Sequence, residues 1–104
     1  LGFTFKEDCP DIRNTRVIDV YKELRNFEIE VDVFDPLANK EEVKNEYNIE
    51  IFSKMPNEEK YSAIVLAVGH KLFKGLDVRK LVGNTGIVYD VKGIFPKNIV
   101  DGRL

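Results

Sequence analysis

The sequence holds one cysteine, Cys9, in 104 residues, so no internal disulfide can form and a cytoplasmic setting is expected. It holds one histidine, His70, and no His, Cys and Asp grouped at metal-ligand spacing. Charge of one sign is lacking too. Sixteen Lys and Arg against 18 Asp and Glu leave a net charge of −2, so no basic field draws in nucleic acid or an anionic membrane. The longest clean apolar run, Ala63 to Val68, is far too short to span a bilayer. No charged-then-apolar signal segment opens the chain. Repeats, low-complexity stretches and internal linkers are absent, and so is the glycine-rich dinucleotide fingerprint of an ordinary NAD-binding turn. The chain opens on Leu1 rather than Met, within what reads as a strand, which suggests a piece of a longer polypeptide.

What is present suits one small globular domain, with 43% apolar and 33% charged residues. Leu1–Thr4, with Gly2, reads as the end of a buried strand, and Phe5–Asn14 as a polar loop. Val17, Val20, Tyr21 and Leu24 recur on one helical face, with Asn14 or Thr15 as N-cap. Ile29, Val31 and Val33 alternate with acids, as in a strand wetted on one side, and Asp35-Pro36 ends it as a turn. Asn39 with Glu42 opens a short helix reaching about Tyr47, and Ile49–Phe52 reads as a brief strand. Met55–Lys60 is a polar connection containing Pro56. Ala63–Val68 reads as a strand covered on both faces. Gly69–Val82 is helical but broken at Gly75, with Asp77 capping its second half. Ile87–Val91 is the final strand, followed by an irregular tail.

This alternation of strands and helices predicts an α/β fold: a three-layer, Rossmann-like open sheet of five parallel strands. Right-handed crossovers give the strand order 3-2-1-4-5. Ligands of such sheets bind beyond the carboxyl ends of the strands, where the winding reverses. The loops there are Phe5–Arg13 and Gly69–Lys74, with Lys92 close by. Phe5–Arg13 joins a strand to a helix, so free N–H groups at the helix start can face an anion. Lys6 and Arg13 add positive charge suited to a diphosphate, and Phe5 offers an apolar face. Glu7, Asp8 and Asp11 equally allow a solvated loop whose charges pair among themselves.

Leu1-Gly2-Phe3-Thr4-Phe5-Lys6, with Asp11-Ile12-Arg13 beginning five residues after the Lys, resembles the opening of the C-terminal, UDP-binding domain of the UDP-glucose/GDP-mannose dehydrogenase family. Phe34-Asp35-Pro36, the apolar run 63–68 and Tyr89-Asp90-Val91-Lys92-Gly93 agree with it, so the resemblance spans essentially the whole chain. The fuller loop Phe5–Asn14 and the terminal Asp101-Gly102-Arg103-Leu104 resemble the branch acting on UDP-N-acetylhexosamines for surface polysaccharides.

The resemblance implies an enzyme that oxidises the sugar C6 alcohol to a carboxylate in two steps, using two NAD and a cysteine-bound intermediate. It implies an N-terminal NAD-binding domain and a central dimerisation region as partners within one polypeptide, a homodimer or larger assembly, and no nucleic acid or membrane. This chain would bind the UDP-sugar and be inactive alone, with NAD held mainly elsewhere. The expected substrate contacts are Phe5, Lys6, Glu7, Asp11, Lys92 and Arg103. Arg13 is expected to reach the cofactor. Lys92 stands where relatives commonly carry Arg, which keeps the charge and loses the bidentate fork.

Cys9 reads as a loop-packing residue, because the family nucleophile lies in a glycine-rich Cys-Phe-Pro motif that this chain lacks. His70 reads as structural or solvated rather than as an acid/base group. Glu41-Glu42 and Glu58-Glu59 read as solvated helix starts or turns. A receiver-like regulatory module is the rival reading; Glu7 and Asp8 fit its acid cluster, but Ala67-Val68-Gly69-His70 supplies no acid at the end of the fourth strand. A purely structural interaction domain is the third.

Overall fold

The computed structural model describes residues 1–55 and 60–104; Pro56 and Glu58-Glu59 lie outside them. The fold is α/β, with a small parallel sheet. Its regular strands are β1 (Ala63–Leu66), β2 (Ile87–Asp90) and β3 (Gly102–Arg103), paired in that order. Helices α1 (Val17–Asn26) and α2 (Lys40–Tyr47) precede the sheet, and α3 (Val78–Val82) joins β1 to β2.

Local chemistry sets these boundaries. The Asn39 carboxamide accepts from the N–H groups of Glu41 and Glu42, satisfying two of the free donors at the start of α2. Asn48, at φ 57°, ends that helix in the left-handed region. A 3-10 turn over Lys71–Gly75 and then α3 fill the stretch expected to be helical and broken at Gly75. Asp77 caps α3 through the Lys80 N–H at 3.3 Å. Helix α1 begins later than expected. Arg16 holds its cap position, with no side-chain bond, while the Thr15 hydroxyl accepts from Val17 N–H at 3.2 Å.

The five-strand ladder expected from the sequence is not present as regular pairing. The segments at 1–4, 29–34 and 49–52 contribute only an isolated parallel bridge, Phe34 to Phe52, and scattered bonds. Gly2 N–H donates to Phe34 O at 2.8 Å, Leu1 N to Val65 O at 2.7 Å, and Asp35 N–H to Phe52 O at 3.0 Å. A ladder needs successive extended residues in register across distant segments, and Gly2, at φ 92°, breaks the extended run of the first. Gly2 is required there, because a Cβ would stand 2.6 Å from Val68 Cβ as well as facing the strained backbone angle. The tail is more ordered than expected, since Gly102 and Arg103 pair in parallel with Tyr89 and Asp90.

Two apolar clusters cover the framework. Phe3, Ile12, Ile18, Val33, Val43 and Ile51 pack with α1 and α2. Ile64, Leu66, Val88, Phe73, Val78 and Leu81 pack with α3. Strand β1 is not covered on both faces. Its even residues, Ile64 and Leu66, are buried under α3, whereas Ala63 is exposed and Val65 half-buried. The odd side lines an apolar groove of about 210 Å³ shared with Val17, Val20, Tyr21 and Leu24 of α1. Among the described residues no helix is long and apolar enough to cross a membrane.

Candidate functional site

Three chain segments end together where the strands expose their carboxyl ends. Thr4 closes the first segment, Asp35 the second and His70 follows β1, and all three are fully or almost fully buried. Asp35 Oδ2 accepts from Phe3 N–H at 2.6 Å, Thr4 N–H at 3.1 Å and His70 Nε2 at 2.9 Å. Its other oxygen accepts from Leu37 N–H at 2.9 Å, so the turn expected at Asp35-Pro36 exists and also serves as a buried anchor. Burial alone would raise the Asp35 carboxyl. The bonds from Phe3, His70 and Leu37 outweigh it and hold the group below the ordinary carboxylate range.

These contacts also decide the state of His70. Its Nδ1 lies 2.9 Å from the Asp8 amide, which can only donate, so Nδ1 carries a lone pair. The ring proton of the neutral imidazole is therefore on Nε2 and points at Asp35. Asp8 answers in kind, its Oδ1 accepting from Lys71 N–H at 2.8 Å. The loop beginning at Phe5 is thereby fastened to the turn after β1.

Phe5, Lys6 and Glu7 are all exposed at this edge. The Lys6 carbonyl accepts from the Thr4 hydroxyl at 3.0 Å, and Phe5 N–H donates to Asp11 O at 2.7 Å. Lys92 is exposed just after β2, and its Cβ lies 3.4 Å from where a Cβ on Gly69 would stand. Lys6 and Lys92 thus belong to loops at the same end of the sheet.

Asp11 and Arg13 form a separate pair. Both Asp11 oxygens are engaged by the Arg13 guanidinium, at 3.0 and 3.1 Å, and Oδ1 also accepts from the Arg13 N–H at 2.9 Å. Arg13 is the cause of the lowered Asp11 carboxyl, and Asp11 in turn raises the guanidinium. The Arg13 side chain remains 81% exposed and borders an open groove of about 900 Å³ with Cys9, Leu37, Asn39 and Glu46. Arg103 is turned inward, donating to Phe95 O with its Nη2 3.8 Å from the buried Asp90 carboxylate. Asp90 itself accepts from the N–H groups of Lys92, Gly93 and Phe95 and so shapes the turn that carries Lys92.

The sequence-predicted residues therefore fall into three places. Phe5, Lys6, Glu7 and Lys92 lie on loops at the strand ends, Asp11 and Arg13 line the groove beside α2, and Arg103 is tied to the Asp90 turn. Asp35 and His70 were not among the expected contacts. Their signal was positional, since each ends or follows a strand at the ligand edge. Half-buried Cys9 borders a groove whose charged lining is Asp11, Arg13, Glu42 and Glu46, with no histidine among them to activate a thiol.

The pattern of the UDP-glucose/GDP-mannose dehydrogenase family, UDP binding domain, matches residues 1–97. The chain is 48% identical over its whole length to the UDP-N-acetyl-D-glucosamine 6-dehydrogenase of Salmonella typhi, covering 25% of that protein. It is 41% identical, again over its whole length and 25% of the relative, to the Pseudomonas aeruginosa protein of the same name. Protein CapL of Staphylococcus aureus is 42% identical over 90% of the chain and 22% of its own length. The chain thus spans about a quarter of the length of these curated relatives. Matched from Leu1 to Lys97, it belongs to the UDP-glucose/GDP-mannose dehydrogenase family, within that family's UDP binding domain.

Proposed function

We propose that residues 1–104 form the C-terminal domain that holds the UDP-sugar in a cytoplasmic nucleotide-sugar 6-dehydrogenase. The full-length enzyme oxidises the C6 alcohol of a UDP-N-acetylhexosamine, or of a UDP-hexose, to the uronic acid, and assembles as a homodimer or larger. Two relatives bear the name UDP-N-acetyl-D-glucosamine 6-dehydrogenase, which supports the N-acetylhexosamine branch. The scattered bonds linking Phe52, Phe34, Leu1 and Val65 run in the order expected of strands 3-2-1-4, which supports a looser version of the five-strand plan.

The observation that carries this reading is the fastening of the exposed Phe5–Glu7 segment over the strand ends by Asp8 and His70. Lys6 there offers a cation, and Phe5, 55% exposed, offers an apolar face for a base or sugar. Glu7, exposed in the same segment, offers an acceptor for a sugar hydroxyl, and Lys92 adds a second cation. Asp11 contributes by shaping the same loop, and Arg103 through the turn that carries Lys92.

NAD, which takes up the hydride in such oxidations, is held mainly by another domain. Arg13 fits a supporting role toward it. Asp11 consumes one edge of the guanidinium and leaves the remaining N–H groups exposed for a phosphate. The chain alone is thus a binding domain and not a catalyst.

Titration of the chain by calorimetry with UDP and, separately, with magnesium tests the assignment. Saturable heat with UDP and none with magnesium is the expected result. Magnesium binding without UDP binding would favour the receiver-like alternative.

A further inference from the structure

We propose that His70 and Asp8 are positioning residues for UDP-sugar binding: together they clamp the Phe5–Glu7 segment in its binding shape without touching the ligand. This rests on the reading of that segment as the substrate cradle. Phe5, Lys6, Glu7 and Asp8 are all exposed, so no buried side chain among them roots the segment. The Thr4 hydroxyl to Lys6 O and Phe5 N–H to Asp11 O bonds hold its start, and what fastens its far end to the turn after β1 is a reciprocal pair of bonds, Asp8 N–H to His70 Nδ1 at 2.9 Å and Lys71 N–H to Asp8 Oδ1 at 2.8 Å. The pair can hold position because its inner member cannot move. His70 is fully buried, bonded to Asp35, and its ring lies 5.3 Å from that of Phe73. Asp8 stands at φ 57°, a conformation that Asp tolerates and that aims its amide at the ring. His70 therefore has two separable jobs, with Nε2 serving the fold and Nδ1 serving the loop.

Two substitutions divide these jobs by stereochemistry. Gln can place a donor near the position of Nε2 but leaves the Asp8 amide without an acceptor. Asn can place an acceptor near the position of Nδ1 but no longer reaches Asp35. In the full-length enzyme, His70→Gln is expected to melt near wild type and to raise the KM for the UDP-sugar roughly three- to tenfold, with kcat at saturation little changed. His70→Asn is expected to melt clearly lower while keeping KM within about twofold. Asp8→Gly tolerates the left-handed angle yet removes the acceptor for Lys71, and should raise KM as His70→Gln does. Asp8→Asn should restore it. The Asp8 pair carries the test on an exposed residue should His70→Asn fail to fold.

If KM instead tracks melting temperature, rising in His70→Asn and not in His70→Gln, His70 is merely structural and the inference is overturned. Lys6→Ala, measured alongside, separates the two levels of the argument. Raised KM in Lys6→Ala with wild-type KM in both His70→Gln and Asp8→Gly defeats the clamp alone. Wild-type KM in Lys6→Ala defeats the cradle reading itself, and the clamp with it.

Discussion

Lys6→Ala in the full-length enzyme is expected to lower kcat/KM for the UDP-sugar about ten- to a hundredfold. The ammonium is exposed where the first segment leaves the sheet, and the backbone beneath it is fixed, its carbonyl held by Thr4 and the next turn clamped at Asp8. A charge-assisted contact to phosphate or sugar made from such a place is worth roughly 1.5–3 kcal/mol, which corresponds to that fold-change. The KM for NAD should move much less, because Arg13 and not Lys6 borders the groove beside α2. Arg13→Ala should show the opposite preference, with cofactor affected more than sugar. Steady-state kinetics varying each substrate in turn separates these cases. A change of no more than about twofold in Lys6→Ala would mean a solvated loop lysine with no ligand.

Asp35→Ala is expected to be the most damaging single change to stability. It would leave the N–H groups of Phe3, Thr4 and Leu37 and the His70 ring without their acceptor, all at or near the buried strand ends. Removing one partner from a buried charged network costs about 3–5 kcal/mol. In a domain of this size each kcal/mol moves the melting temperature by about 4–8 °C, so a loss of about 12 °C or more is expected in calorimetry.

The pH dependence follows with a definite sign. Folding depresses the Asp35 carboxyl below its unfolded value, so its stabilisation is complete above the ordinary carboxylate range. That stabilisation is lost as pH falls from about 4 through the folded value. Asp101, held down by the Val88 N–H and by Arg79, loses stabilisation in the same direction. Asp35→Asn should therefore flatten part of the acid limb of stability against pH. An unchanged acid limb would remove Asp35 as one of its sources.

Elements governed by local chemistry were readable from the residues. The Asn39 cap, the break at Gly75 and the restart at Asp77 all depend on neighbours within four positions. The parallel pairing of the runs at 63–68 and 87–91 was readable, but the loss of regular pairing among the first three segments was not, because it depends on register and backbone angle across distant segments. Nothing in Leu1–Thr4 announces that Gly2 turns at φ 92° against Val68. The strand Gly102–Arg103 was hidden for a similar reason. Two residues cannot show a period of two, and their pairing follows from the fold of the preceding turn, where Asp101 N–H reaches Val88 O at 2.8 Å.

The candidate site was legible as a place more than as a set of contacts. Phe5–Arg13 stands out in the sequence because a strand-to-helix loop beside the reversal of winding is where such sheets bind. Which of its charges pair internally was not decidable from spacing. Asp11 and Arg13 took each other, while Lys6 and Glu7 show no internal ion pair among the described residues. His70 and Asp35 lie 35 residues apart, and only the closed sheet edge brings them to 2.9 Å. A buried polar pair of this kind leaves no local signature, because each member alone resembles a turn or a helix-start residue.

The central claim, that the Phe5–Arg13 loop receives the UDP-sugar, is most directly tested by backbone hydrogen exchange of the full-length enzyme with and without saturating UDP-sugar. Slowed exchange over Phe5–Arg13 and around Lys92, with little change along α2 or Gly102–Arg103, is the predicted result. Unchanged exchange in that loop, with protection appearing elsewhere in the domain, would contradict it.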